Sequence, residues 1–238
     1  MKSDVKESMQ QPGLFITLEG ADGCGKSTQA RLLVDYLKKN GYPVLLTREP
    51  GGTPLAEEIR RVILTPGDEN LDSTAEILLY AASRAQHVNG FIKPALVTGK
   101  MVICERFIDS SFAYQGYGLG MDLDIIKAVN RMAIGDFEPD LTFLLDIDTK
   151  AAQRRIRERS AASQSGIDRI ESRSWEFHEK VRQGFRELAK HSSRIVLIDA
   201  SRQGIKEIHH SIVAILRTRL TMDSGSRLSK TGSPESNF

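Results

Sequence analysis

Cysteine is nearly absent from this 238-residue chain: there are two, Cys24 and Cys104, in neither a metal-ligand nor a redox spacing. That excludes a disulfide-stapled scaffold and a cysteine zinc site, and it suits a reduced, cytoplasmic setting. An excess of one charge sign is missing too. The 33 Lys+Arg and 31 Asp+Glu leave a formal charge of +2, which argues against a general nucleic-acid or membrane-surface protein. No apolar run approaches the roughly 20 residues of a membrane helix. The polar opening "MKSDVKESMQQP" predicts no signal peptide. There is no internal repeat, and no N-K-x-D of the kind that specifies guanine.

The remaining sequence has room for one large α/β domain. Short apolar runs, "LFITLE" (14–19), "PVLLT" (43–47), "MVICE" (101–105), "LTFLLDI" (141–147) and "RIVLID" (194–199), predict parallel strands covered on both faces. Helical patterns lie between them. Ala30, Leu33, Val34 and Leu37 recur at helical spacing, with Gly41 ending the run. Ser73 and Glu76 form a capping-box pattern before "ILLYAASRAQHV". Further helices are expected over 122–134, from about Glu171 to His191, and over 204–220. The alternation predicts one doubly wound sheet of five parallel strands over 13–220. Residues 1–12 and the Ser/Gly-rich 221–238 read as flexible extensions.

In such sheets ligands gather beyond the carboxyl ends of the strands. There the chain carries "EGADGCGKST" (19–28), "REPGGT" (48–53), "ERF" (105–107) and "DIDTK" (146–150). Gly20, Gly25, Lys26 and Ser27 match G-x-x-x-x-G-K-[ST], after a strand and before a helix. Such a loop, Gly20, Ala21, Asp22, Gly23, Cys24, Gly25, Lys26, Ser27 and Thr28, turns its N–H groups toward ATP phosphates at a helix start. Lys26 is expected at the β/γ-phosphates, and Ser27 on Mg²⁺. Asp22 would repel those phosphates, so it faces a bound metal or the acceptor, or is an exposed turn residue.

Tyr80 and Arg84 share a helix face and suit a flat base, although alone they read more readily as a surface packing pair. Arg106 suits a substrate phosphate and Glu105 a metal, unless the two only pair with each other. If the next turn is helical, Ser111 and Tyr114 share a face.

"TREPGGTPLAEEIR", "AASRAQHV", "ERFIDSSFAYQGYG" and "DRIE" occur in the order that is similar to bacterial thymidylate kinases, ATP:dTMP phosphotransferases, over roughly residues 13 to 219. The resemblance implies a P-loop nucleoside monophosphate kinase fold with a lid, and a homodimer packed through helices. It implies roles as well. Arg106 and Asp22 lie near the dTMP phosphate. Tyr80 stacks on thymine, Arg84 bonds the base carbonyl and Ser111 meets the base edge. Tyr114 packs beneath the sugar, Gln115 joins the substrate site, and Glu49 and Pro50 line the sugar and methyl pocket with Arg48 flanking. Two residues depart from the family pattern, Glu105 where Asp is usual and Tyr80 where Phe is usual. The extra methylene of Glu105 leaves direct and water-mediated metal contact both open.

Some family members carry an arginine in the phosphate loop, at the position of Gly23 here; others supply it from a lid. "RRIRERSAASQSGIDRIESRS" (154–174) fits the second kind, although a charge run by itself reads as a solvated helix face. The lid is placed at about 154–170, with Arg157 and Arg159 named for catalysis beside Lys26, Arg106 and Asp22. Two other readings compete: a different deoxynucleoside monophosphate kinase, and a nucleotide-dependent switch or assembly ATPase with "LLDID" as its metal-binding strand.

Overall fold

The computed structural model describes residues 13–67, 71–163 and 166–228. Strands β1 (Phe15–Glu19), β2 (Val44–Arg48), β3 (Met101–Glu105), β4 (Leu141–Asp146) and β5 (Ile195–Asp199) form one parallel sheet in the order β2-β3-β1-β4-β5. The inner strands β1, β3 and β4 are buried along nearly their whole length, as continuous apolar runs require. The expectation of two covered faces fails for β2 and β5. They are the sheet's edges, and Leu46 and Leu197 are exposed there.

Helix α1 (Lys26–Lys39) leaves the phosphate loop and buries Leu33 and Leu37 against Ile16, Leu18, Ile212 and Leu216. Helix α2 (Pro54–Leu64) starts on a Thr53 cap with proline in its first turn, where a missing N–H costs nothing. Helix α3 (Ser73–His87) is capped by Asp72, which accepts from the N–H groups of Thr74 and Ala75. The expected capping box is therefore one residue out, and Glu76 is released for another use. A π-helical turn, Val88–Ile92, leads into α4 (Lys93–Val97), which packs Ile92, Ala95 and Leu96 on the second sheet face with Phe15, Val102 and Phe107.

After β3 come α5 (Ile108–Ser111), a π-helical segment (Phe112–Gly118) and α6 (Leu123–Ile134). Beyond β4, α7 (Thr149–Ser163) carries the arginine-rich stretch. Helix α8 (Trp175–His191) begins four residues later than expected, on a Ser174 cap. The last helix, α9 (Ile205–Leu228), runs past 220 into the segment read as a flexible tail. Residues 1–12 and 229–238 lie outside the described residues, as do 164–165 of the lid stretch.

Candidate active site

The carboxyl ends of β1 and β3 lie side by side, Leu18 opposite Glu105, and the site is built on them. The loop after β1 turns on Gly20, Gly23 and Gly25, all at positive φ. At Gly23 the conformation (φ 79°) favours glycine, and an added Cβ would lie 2.6 Å from the Ala152 carbonyl oxygen of α7. An arginine at this position is excluded sterically, so the absence noted in the sequence is a packing requirement. Lys26 donates to the carbonyls of Gly20 (3.0 Å) and Ala21 (2.9 Å). Those two residues stand behind the loop; Asp22 through Gln29 line the cavity in front of it.

Ser27 donates to Glu105 at 2.6 Å, and both line that cavity. A hydroxyl and a carboxylate are the hard oxygen donors a divalent ion takes. No group of three or more His, Cys, Asp or Glu suited to a metal occurs among the described residues. An ion here would complete its shell with phosphate and water oxygens, so the pair fits a nucleotide-bound metal.

Asp22 faces the loop's acceptor side. Its carboxylate accepts from Arg106 at 2.5 Å and from the Tyr114 hydroxyl at 2.7 Å. Burial pushes the Asp22 carboxyl up, but Arg106, Lys26 and the Tyr114 hydroxyl outweigh it and hold it well below the usual carboxylate range. Arg106 donates as well to Gly20 O and Ser110 Oγ, not to Glu105. Its backbone is left-handed (φ 66°), uncommon for a residue with a Cβ. The neighbouring backbone holds it there: Arg106 N–H donates to Leu18 O, and Phe107 N–H donates to buried Glu19 at 2.6 Å. Glu19 also accepts from the Ser110 hydroxyl, and burial, then Asp109, pushes its carboxyl up to about 7.

A second cavity, of about 530 Å³, opens beyond Arg106. All eight residues named for the substrate line it: Glu49, Pro50, Tyr80, Arg84, Arg106, Ser111, Tyr114 and Gln115. Arg84 is not a surface residue. It is 2% exposed and donates to Glu49 (2.7 Å), Ser111 Oγ (2.9 Å), Asn130 and the Phe107 carbonyl. These four bonds use four of its five N–H groups, leaving one for a ligand. Glu49 is shared with His87, which in turn meets Thr47. The Tyr80 hydroxyl has no hydrogen-bond partner among the described residues, and burial raises its pKa.

Five residues line both cavities: Asp22, Glu49, Arg60, Arg106 and Asp168. Arg60 and Asp168 were not singled out from sequence. Arg60 donates to the carbonyl of Pro50 at 2.8 Å, and only its place in "AEEIR" hinted at it. Arg48, expected to flank the substrate pocket, lines the first cavity and pairs with Glu57 on the surface.

The lid arginines separate. Arg159 lines the first cavity and pairs with Glu171 at 2.5 Å. Arg155, not among the two named, also lines it and donates to Gly23 O at 3.4 Å. Arg157 is exposed and does not line it. Gln203, Gly204 and Ile205, at the start of α9, close the far end, which no sequence motif marked. The "LLDID" acids have structural duties. Asp146 takes two hydrogen bonds from Arg182, at 2.7 and 3.0 Å, and Asp148 caps α7 through Lys150 and Ala151 N–H.

A phosphate loop, a second concave site across a shared arginine, and arginines carried on a helix between them define a P-loop nucleoside monophosphate kinase architecture. Comparison with known proteins narrows this. Residues 18–212 match the family model described as thymidylate kinase. A thymidylate kinase of Halothermothrix orenii is 52% identical over 200 residues, 84% of this chain and 94% of its own. One from Exiguobacterium sp. is 49% identical over 209 residues, covering 87% and 96%. The crystal structure of thymidylate kinase from Ehrlichia chaffeensis superposes with a TM-score of 0.69 at 38% identity, covering 87% of this chain and 99% of that one. The chain belongs to the thymidylate kinase family.

Proposed function

We infer that this chain transfers the γ-phosphoryl group of ATP to dTMP, giving dTDP and ADP. The observation that carries the reading is the pair of cavities meeting at Asp22, Arg60 and Arg106. A switch or assembly ATPase needs only the first cavity, and its candidate metal acids are already committed to Arg182 and the α7 cap.

ATP lies on residues 22–29, with its base toward Gln203–Ile205. Lys26 exchanges the carbonyls of Gly20 and Ala21 for the β/γ-phosphates. Ser27 and Glu105 would hold Mg²⁺, which would supply charge neutralisation at the phosphates. dTMP occupies the second cavity, its base against Tyr80 with the last Arg84 N–H and the Ser111 hydroxyl at its polar edge. Arg106 and Arg60 take its phosphate and offset the repulsion between two anionic substrates. A dTMP phosphate oxygen forms the new bond to the γ-phosphorus as the bond to the β-phosphate oxygen breaks, and ADP leaves with that electron pair. No general base is required, because the nucleophile is already anionic. Arg159, beside Arg155, supplies the remaining positive charge from α7. Among nucleoside monophosphates, dTMP should drive ATP consumption far faster than dCMP, dGMP or AMP; equal turnover of all four would sink the assignment.

A homodimer fits an exposed apolar face shared by three packed helices. Leu55 and Val62 of α2, Leu78 of α3, and Ile125 and Met132 of α6 are all more than half exposed there. Leu78→Glu should shift the sedimentation coefficient to that of a monomer. A cytoplasmic setting suits the two free, buried cysteines. No helix among the described residues is long and apolar enough to cross a membrane.

A further inference from the structure

Glu76 is a fully buried carboxylate outside both cavities, yet it is bonded to the walls of one. One oxygen accepts from the Gln115 side-chain amide at 2.9 Å. The other accepts from Arg169 at 3.2 Å and Arg173 at 2.5 Å. It stands one helical turn before Tyr80 and two before Arg84 on α3, so a single face of that helix carries all three. Arg169 is tied further to the end of α2, through Ile63 O (2.7 Å) and through its N–H to Leu64 O (3.1 Å). The residues flanking it, Asp168 and Ile170, line the second cavity.

We propose that Glu76 is a positioning residue for acceptor selectivity, setting the direction of the Gln115 amide and holding the 168–173 segment as a wall of the acceptor cavity. The inference rests on the reading of that cavity as the dTMP site. An ionised carboxylate accepts and cannot donate. The Gln115 amide nitrogen must therefore face Glu76, and a flip would set two acceptors against each other. The side-chain oxygen of Gln115, Oε1, takes no hydrogen bond from the described residues, and Gln115 lines the cavity. The group left for a ligand is thus an acceptor. Thymine offers an N3–H donor on its pairing edge; cytosine offers an N3 acceptor there and would be repelled. Glu76 also places one negative charge between two guanidiniums. Without it Arg169 and Arg173 repel each other, and Arg173 already has one buried nitrogen without a partner.

Glu76→Gln tests this, because glutamine can donate or accept and frees the Gln115 amide to turn. The expected result is a roughly tenfold fall in the ratio of kcat/KM for dTMP over dCMP, with KM for ATP moved less than about twofold. A purely structural role would lower both substrates alike and leave the ratio unchanged; that outcome overturns the proposal. Tyr80→Ala is assayed alongside. If it leaves KM for dTMP unchanged, the cavity assignment itself falls, and the proposal with it. If Tyr80→Ala raises that KM while Glu76→Gln keeps the ratio, only the proposal falls. Should Glu76→Gln fail to fold, Arg169→Gln and Arg173→Gln carry the test. Each should raise KM for dTMP severalfold at constant KM for ATP, and no change in either constant overturns the role assigned to Glu76.

Discussion

The two halves of the site are held by different means. Around the second cavity Arg84, Glu49, His87 and Ser111 are buried and joined in one hydrogen-bonded network, and buried Gln115 is held separately by Glu76. The first cavity is larger, and Arg159 of α7, which lines it, is half-exposed and paired with Glu171. The acceptor pocket is therefore part of the folded core, and its shape is set when the chain folds. A fixed, bonded pocket suits selectivity, and a half-exposed arginine on a helix suits supplying charge to a reacting group.

The sharpest way to break that contrast is Arg159→Ala. It should cost about 10³ in kcat, roughly 4 kcal/mol of barrier, while KM for dTMP and the melting temperature stay nearly constant. Single-turnover kinetics and calorimetry read both. Arg84→Ala should do the reverse in kind. It leaves the Glu49 carboxylate buried with only His87 as partner, which costs about 3–5 kcal/mol of stability, so the melting temperature and the affinity for dTMP fall together. If Arg84→Ala melts like the parent chain, the pocket around Arg84 is not part of the folded core.

A smaller effect lies between the halves, at Glu19. Its folded pKa of about 7 stands above the ordinary 4.5. Between those values the folded state binds a proton that the unfolded state has released, so the group's contribution to stability falls as pH rises from about 4.5 to 7. Glu19→Gln removes the titration. Its stability relative to the parent should improve as pH rises through that window, measured by urea unfolding at several pH values. A difference independent of pH would show that Glu19 does not titrate there. Smallest of all is Arg157→Ala, which should change kcat less than twofold because the side chain is exposed and does not line the first cavity.

Much of this was legible before folding was considered. The phosphate loop is local: its glycines, lysine and serine are consecutive, and strand–loop–helix context needs only a few flanking residues. The eight residues expected at the substrate, all lining the second cavity, came from short motifs: six follow strands β2 and β3, and Tyr80 and Arg84 lie on α3. The failures have a common form. Gln203 belongs to the site through folding over and not through any motif of its own, while Arg60 and Asp168 stand in "TREPGGTPLAEEIR" and "DRIE" with nothing local to mark them as lining both cavities. Glu76 read as a cap partner because S-x-x-E is a local pattern, yet Asp72 caps the helix and Glu76 points inward to residues 39, 93 and 97 positions away. The edge strands β2 and β5 looked like inner ones because composition does not record position in a sheet.

The amino-acid sequence by itself determined the class of fold, the phosphate loop and the kinds of residue lining the second cavity, since each depends on spacing within one element. Only the tertiary structure decided which arginines of α7 line the first cavity, why Gly23 admits no side chain, and which carboxylate joins Arg169 and Arg173 to Gln115. Those are matters of distance between elements far apart in the chain, set by packing against Ala152, Ile63 and Leu64 rather than by neighbours in sequence.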